Sequence, residues 1–367
     1  MPSNISQQLL MTYKEQLYNY KTIPSLNGWR AVAVILVLLG HFKMTLNTTS
    51  LGYKILDQVI FAELGVRIFF VLSGFLITTL LIKEKAKYGK INIRHFFIRR
   101  FLRIVPVLWL YLAVVALLNQ LFKFNLTLSH FLGPLLYLNN FNFFPGVWLL
   151  GHTWSLAVEE QFYLIWPFIF SFVKNKLLLT LFILIATPVL VVLAYVKPDL
   201  SNVLLVPFLR PATAIFCGAV LAILWSKDFF NVDIKKHLNW PTLIFVSVIV
   251  FLISNYQHQG KYGKLLLPTG DTIMNLGIAY AITFSLIQQK NNLFRFLNLR
   301  LMNTIGLLSY SLYIWQQLFL FPVGSYLNWK AMIPFPLNIL LIFIIAYISY
   351  TFFEKRFLKL KHQFSSI

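Results

Sequence analysis

Residues 177–196 read LLLTLFILIATPVLVVLAYV and contain no charged side chain. A run of about 20 apolar residues is long enough to cross a bilayer core of about 30 Å as one helix. Comparable runs recur on both sides of it, near residues 29–46, 64–82, 104–122, 152–173, 204–225, 240–256, 272–289, 303–322 and 334–353. The sequence therefore predicts an all-α, polytopic transmembrane helical bundle of about ten spans.

The composition agrees with a membrane protein. Hydrophobic residues make up 58% of the 367-residue chain and charged residues only 12%, whereas a soluble domain carries about a quarter. Ten spans use roughly 200 residues, which leaves loops and tails but no room for a separate soluble domain. We therefore predict one integral membrane domain over 1–367, with spans between about 29 and 353 and tails at 1–28 and 354–367.

The net charge of +21 is distributed unevenly along the chain. With cytoplasmic N- and C-termini, 23 Lys and Arg residues fall on the cytoplasmic side and 8 on the outer side. The positive-inside rule accounts for this excess, so nucleic acid is not a predicted partner. The single cysteine, Cys217, excludes an intrachain disulfide and a cysteine-rich metal site, and no metal is predicted.

Arg30 and His41 lie on the first predicted span, eleven residues apart. That spacing places both side chains on one side of a helix, separated by a rise of about 16 Å. Ionisable groups inside a membrane are costly and mark candidate functional sites. The structural alternatives are that Arg30 reaches lipid phosphate and that His41 binds a backbone carbonyl.

A second basic cluster precedes the third span, where Arg99, Arg100 and Arg103 lie close together on one helical face. Three guanidinium groups in this arrangement bind phosphates by paired hydrogen bonds. Ordinary positive-inside flanking or anionic lipid binding explains the cluster equally well.

The fourth span begins with residues 152–163, HTWSLAVEEQFY. Its adjacent carboxylates, Glu159 and Glu160, cannot both face lipid. A carboxylate that meets a buried imidazole orients it and raises its basicity, as a general base requires. The alternative is a structural pair of Glu with Arg or His that ties helices together.

Arg210 lies between two prolines on the sixth span. A guanidinium there either stabilises an oxyanion or holds a substrate, or it serves as a structural partner for Glu160.

Six segments together resemble the acyltransferase 3 family of membrane-bound acyltransferases, which often O-acetylate cell-surface glycans. The resemblance extends from about residue 23 to 357, and the order and spacing of the segments make it specific. The segments are 26–41 (LNGWRAVAVILVLLGH), 65–77 (GVRIFFVLSGFLI), 100–106 (RFLRIVP), 152–163 (HTWSLAVEEQFY), 309–315 (SYSLYIW) and 349–354 (SYTFFE).

The resemblance implies a multi-pass enzyme of the bacterial plasma membrane with acetyl-CoA as co-substrate and no permanently bound cofactor. His41 is then the base that deprotonates the acceptor hydroxyl, and Glu159 orients it. The donor phosphates are assigned to Arg30, Arg99, Arg100 and Arg103. A carbohydrate or lipid-linked glycan acceptor approaches from the outer side, with contacts assigned to His152, Trp154, Ser155, Glu160, Arg210 and Tyr313.

The sequence departs from the family pattern at two positions. Arg67 stands where an aspartate is common, and Gln316 follows Trp315 where many members have histidine. The second difference removes a proton-transferring group. Some larger members also carry a hydrolase-like extracellular domain that these residues do not supply, so transfer is expected to finish within the membrane domain.

Two other functions remain open from the sequence. A polysaccharide or lipid-linked sugar transporter also buries charge along its substrate path, although we find no inverted repeat. A catalytically inactive membrane anchor or sensor is the other reading, because of Gln316. An enzyme consumes a thioester and depends on His41, whereas a transporter does neither. Oligomeric state is not predicted.

Overall fold

The computed structural model describes residues 23–227, 229–230, 232–261, 263–324 and 333–364. These residues form helices and connecting turns, with no β-strand among them. In chain order the helices are α1 (Leu26–Lys43), α2 (Leu51–Val59), α3 (Ala62–Tyr88), α4 (Ile93–Phe122), α5 (Leu128–Leu135), α6 (Trp148–Gly151), α7 (Thr153–Phe172), α8 (Lys176–Val196), α9 (Val206–Ser226), α10 (Val232–His237), α11 (Trp240–His258), α12 (Gly263–Ile287), α13 (Asn292–Leu297), α14 (Arg300–Trp315), α15 (Leu337–Ile348) and α16 (Lys355–Lys361).

Each predicted span overlaps a helix, in two cases a shorter helix extended by an irregular turn, and the all-α fold class is confirmed. Among the described residues, eight helical segments are long and apolar enough to cross a membrane: α1, α2–α3, α4, α8, α9, α11, α12 and α15–α16. The other two spans correspond to α7, with 20 residues, and α14, with 16. A 3₁₀ turn at Gln316–Leu318 extends α14, and a π-helical turn at Ser349–Glu354 joins α15 to α16.

The centre of the bundle is formed by α3, which packs closely against α9 and α1. Two glycines allow the α3–α9 contact. A Cβ atom at Gly74 would lie 1.8 Å from the backbone oxygen of Ile215, and one at Gly218 would lie 2.0 Å from that of Val71. Small residues at such crossings let membrane helices approach through their backbones. Helix α1 in turn packs against α14, and so a polar centre forms where α1, α3, α7 and α14 meet.

A buried ion pair fixes one end of the bundle. Arg99 on α4 donates to Glu84 on α3 at 2.9 Å and to the backbone oxygen of Phe364 at 2.9 Å. The other oxygen of Glu84 accepts from the backbone N–H of Asn92, which precedes α4. These contacts connect α3, α4 and the turn after α16, so Arg99 positions the C-terminal helix.

Substitution Glu84→Ala should lower the thermal unfolding temperature of the protein in detergent by several degrees. The change leaves Arg99 as an unpaired buried cation, a loss that costs about 3–5 kcal/mol when one partner of a buried pair is removed. The control is Asp199→Ala, because Asp199 is exposed in a short 3₁₀ turn. Equal unfolding temperatures for the two variants would contradict the structural role of the pair.

Candidate active site

A cavity of about 200 Å³ opens at the end of the bundle where the C-terminal helix lies. We call it the arginine pocket. Four cations from three separated segments line it, namely Arg30 on α1, Arg100 and Arg103 on α4, and Lys361 on α16. The acid that lines the same pocket is Glu159. An excess of cations over acids in a partly buried space suits a ligand with several negative charges.

Arg100 is held in the pocket wall by aromatic rings. Its guanidinium lies 5.8 Å from the ring centre of Phe96 and 5.7 Å from that of Tyr163. Within the described residues, its buried Nε has no hydrogen-bond partner. Cation–π contacts orient the group without using its donors, so the N–H groups remain suited to an anionic ligand.

Arg99 does not join this cluster. Helical spacing placed it beside Arg100 and Arg103, but the pairing with Glu84 draws it away from the pocket lining. Lys361 lines the pocket instead. No sequence pattern indicated this position, since Lys361 is one of several basic residues in a tail that we predicted to be cytoplasmic.

Glu159 binds two hydroxyl groups rather than a histidine. Its Oε1 accepts from Ser73 at 2.9 Å, and its Oε2 accepts from Tyr163 at 3.1 Å. The expected hydrogen bond between Glu159 and His41 is absent from the described part of the chain. Glu160, the adjacent acid, has a buried Oε1 that lacks a partner among the same residues.

The inner end of the arginine pocket is closed by Ser155 and Tyr313. Their hydroxyl oxygens lie 2.6 Å apart, and the Tyr313 hydroxyl also donates to the backbone oxygen of His152 at 2.9 Å. Trp154 packs edge-on against Phe70 with ring centres 6.0 Å apart. The structure therefore places Ser155 in the pocket lining, whereas His152 and Trp154 lie behind it, in contact with the lining residues Tyr313 and Phe70.

His41 has one defined tautomer because of Gln316. The amide nitrogen of Gln316 donates to the backbone oxygen of Tyr313 at 3.1 Å, which directs the amide oxygen towards His41. That oxygen lies 3.0 Å from His41 Nδ1, so Nδ1 carries the hydrogen and Nε2 keeps its lone pair. Gln316 thus holds the ring of His41 in one orientation and leaves its Nε2 as a hydrogen-bond acceptor.

His152 is fixed in the same way by the next residue, Gln317. The side-chain oxygen of Gln317 accepts from the backbone N–H of His152 at 3.2 Å and lies 2.5 Å from His152 Nδ1. The Nε2 of His152 is then also an acceptor, and it is buried with no partner in the described ranges. Consecutive glutamines therefore orient both histidines of the polar centre.

Arg210 has a partner that the sequence analysis did not suggest. Its Nε donates to one oxygen of Asp271 at 2.6 Å, while Nη2 of Arg67 donates to the other at 2.7 Å. Our predicted span began at 272, which placed Asp271 just outside the membrane, but α12 begins at Gly263. The earlier start puts a buried acid on a membrane helix, which is the signal that would have marked it.

These features define a multi-pass membrane protein whose polar centre combines a cationic pocket with oriented histidines. The chain belongs to the acyltransferase 3 family, since the acyltransferase-domain model of that family matches residues 23–354. The family assignment confirms the resemblance drawn from the sequence motifs.

Curated relatives are O-acetyltransferases. The chain is 30% identical over 365 residues to O-acetyltransferase OatA of Staphylococcus aureus (strain NCTC 8325 / PS 47), an alignment that covers 93% of this chain and 58% of the relative. It is 30% identical over 372 residues to peptidoglycan O-acetyltransferase OatA of Listeria monocytogenes serovar 1/2a, covering 92% and 56%. The chain thus spans less than two thirds of the length of these relatives. No solved structure matches it significantly.

Proposed function

We propose that this protein transfers an acetyl group from acetyl-CoA, bound in the arginine pocket, to a hydroxyl group of a cell-envelope polysaccharide. The observation that carries the proposal is the arrangement of Arg30, Arg100, Arg103 and Lys361 around a pocket whose inner end adjoins His41 through Tyr313 and Gln316. The cations suit the donor phosphates, and the histidine suits proton transfer.

The donor phosphates rest at the cationic end of the pocket, and the pantetheine arm extends between its apolar walls. Phe69, Leu76 and Leu80 line those walls. The uneven distribution of basic residues supports a cytoplasmic position for this end, which is where acetyl-CoA is available.

The acceptor hydroxyl gives its proton to Nε2 of His41, and its oxygen attacks the thioester carbonyl carbon. The carbon–sulfur bond then breaks, and the CoA thiolate takes the proton from the histidine. Gln316 keeps Nε2 free to accept by holding the hydrogen on Nδ1. Glu159 contributes to the pocket wall through Ser73 and Tyr163 rather than by orienting His41.

The names of the relatives support the proposed class of acceptor. One is named a peptidoglycan O-acetyltransferase, and we extend that class of acceptor to this protein.

The test is release of CoA from acetyl-CoA by the protein reconstituted in lipid, with muramidase-released peptidoglycan fragments as acceptor. Thiol release that increases with fragment concentration, together with acetyl groups on the fragments, supports the proposal. Transport of glycan without consumption of any thioester would instead favour the transporter.

Gln316→Leu should lower kcat about tenfold or more and leave the KM for acetyl-CoA unchanged. The buried Nδ1–H of His41 loses its acceptor, which costs about 1–3 kcal/mol, and the ring is free to change tautomer. Gln316→Glu, which still accepts from Nδ1, should recover much of the rate. Gln120→Leu is the matched control, because Gln120 is exposed on α4. A Gln316→Leu enzyme with the kcat of the control would rule out the positioning role.

A further inference from the structure

A second cavity, of about 240 Å³, lies at the end of α1 opposite to Arg30. We call it the histidine cavity, because His41 forms part of its wall. The other walls come from the start of α3 and from α11 and α12, which contribute Arg67, His258 and Met274. His41 lines this cavity, and it is also connected to the arginine pocket, because Gln316 hydrogen-bonds both to His41 and to the backbone oxygen of Tyr313.

Arg67 supplies an unused hydrogen-bond donor to this region. It is 6% exposed, and its terminal nitrogens donate to Glu63, Asp271 and Asn275. Its Nε, in contrast, is buried without a partner in the described residues. A buried donor with no acceptor costs free energy, and a ligand oxygen in the cavity would satisfy it.

The outer rim combines polar groups with an aromatic ring. Lys43 donates to Asp57 at 2.8 Å, and Nε2 of His258 lies 2.8 Å from the same carboxylate oxygen. The ring of Phe61 lies 5.5 Å from that of His258. His258 is exposed and Asp57 is partly exposed, so both offer hydrogen-bonding groups at the rim, while the buried ring of Phe61 forms an apolar part of the cavity wall. Polar groups beside an apolar wall are the combination found in sites for small polar ligands.

The charges of the histidine cavity are close to balanced, in contrast to those of the arginine pocket. Two cationic side chains line the cavity, and both form ion pairs. Lys43 is paired with Asp57, and Arg67 is paired with Glu63 and Asp271. An anion such as a nucleotide gains little here. A neutral, hydroxyl-rich ligand fits better, since it needs donors and acceptors rather than net charge.

We infer that the histidine cavity is the acceptor subsite, which takes one neutral hydroxyl-bearing sugar unit of the glycan and presents its hydroxyl to His41. The volume lies below the roughly 300 Å³ at which pockets for drug-sized ligands begin, so a single unit enters and the rest of the polymer stays outside. This inference rests on the proposed function. It differs from the sequence-based assignment, which placed the acceptor beside His152, Trp154 and Arg210.

Kinetics with a narrowed rim test the inference. His258→Trp should raise the KM for peptidoglycan fragments about tenfold and leave the KM for acetyl-CoA unchanged. Tyr256→Trp is the matched control, because Tyr256 lies on the same helix, is exposed and does not line the cavity. The inference would be overturned if His258→Trp left the KM for peptidoglycan fragments unchanged and the fragments also failed to protect the cavity from chemical labelling, as described next.

Cysteine labelling supplies a readout that does not depend on turnover. Since the chain has one cysteine and Cys217 is buried, a cysteine introduced at Met44, an exposed lining residue, reacts selectively with a polar maleimide. Peptidoglycan fragments should slow labelling of Met44→Cys at least severalfold and leave that of Tyr256→Cys unchanged. Protection without any consumption of acetyl-CoA would support the subsite and reject the proposed reaction. Acetyl transfer to fragments that protect neither cysteine would reject the subsite alone.

Discussion

Replacement of His41 by alanine should reduce the rate of acetyl transfer about 10²- to 10⁴-fold, the usual contribution of a general base. The structure gives the physical reason. Gln316 fixes the hydrogen on Nδ1, so Nε2 is the basic atom that is lost. Binding of acetyl-CoA should remain close to that of the wild type, because His41 does not line the arginine pocket. The measurements are single-turnover CoA release and the Kd of acetyl-CoA.

The control for His41→Ala is His237→Ala, because His237 is exposed on a short helix. His152→Ala is informative as well, since His152 is the other histidine of the polar centre whose Nε2 is left as an acceptor. If His41→Ala retained more than a tenth of the wild-type rate while His152→Ala lost activity, the base would have to be reassigned to His152. If both variants were fully active, neither histidine would be the base.

The all-α membrane fold could be predicted from the sequence because a membrane span has a simple physical requirement. A helix must be about 20 apolar residues long to cross the bilayer, and each predicted span contains such a run or a shorter helix packed in the centre. The irregular ends were harder to predict. Residues 303–322 were expected to be one span, but α14 ends at Trp315 and a 3₁₀ turn follows. That turn presents Gln316 and Gln317 to different histidines, which no helical periodicity predicts.

Pairing between distant segments was the part that the sequence could not supply. Glu159 and His41 were predicted to lie at similar depths in the membrane, on spans that enter from opposite sides, so a hydrogen bond between them was a reasonable expectation. In the structure α7 packs against α3, and Glu159 meets Ser73, a residue 86 positions earlier. Arg30 and His41 both lie on α1, as their spacing predicted. They line different cavities, however, because the helix rises about 16 Å between them.

The proposed binding of the donor phosphates in the arginine pocket leads to the second prediction with a large effect. Arg103→Ala should raise the KM for acetyl-CoA about 10- to 100-fold, because a hydrogen bond to a charged group contributes about 1.5–3 kcal/mol and each 1.4 kcal/mol is a factor of ten. Arg103→Lys keeps the charge but loses the paired geometry of the guanidinium, so it should lie between the alanine variant and the wild type. Lys361→Ala should raise the same KM by a smaller factor.

A donor that lacks phosphates distinguishes loss of phosphate binding in Arg103→Ala from damage to the fold. S-acetylpantetheine carries the same thioester without the nucleotide, so its kcat/KM should be nearly equal in Arg103→Ala and the wild type. Lys359→Ala is the control for Lys361→Ala, since Lys359 is exposed on the same helix and does not line the pocket. A loss of activity towards both donors would mean that Arg103 supports the helices rather than the phosphates. If Arg103→Ala instead lost activity only towards acetyl-CoA, the nucleotide would bind where α1, α4 and α16 meet, because the four cations lie on these helices.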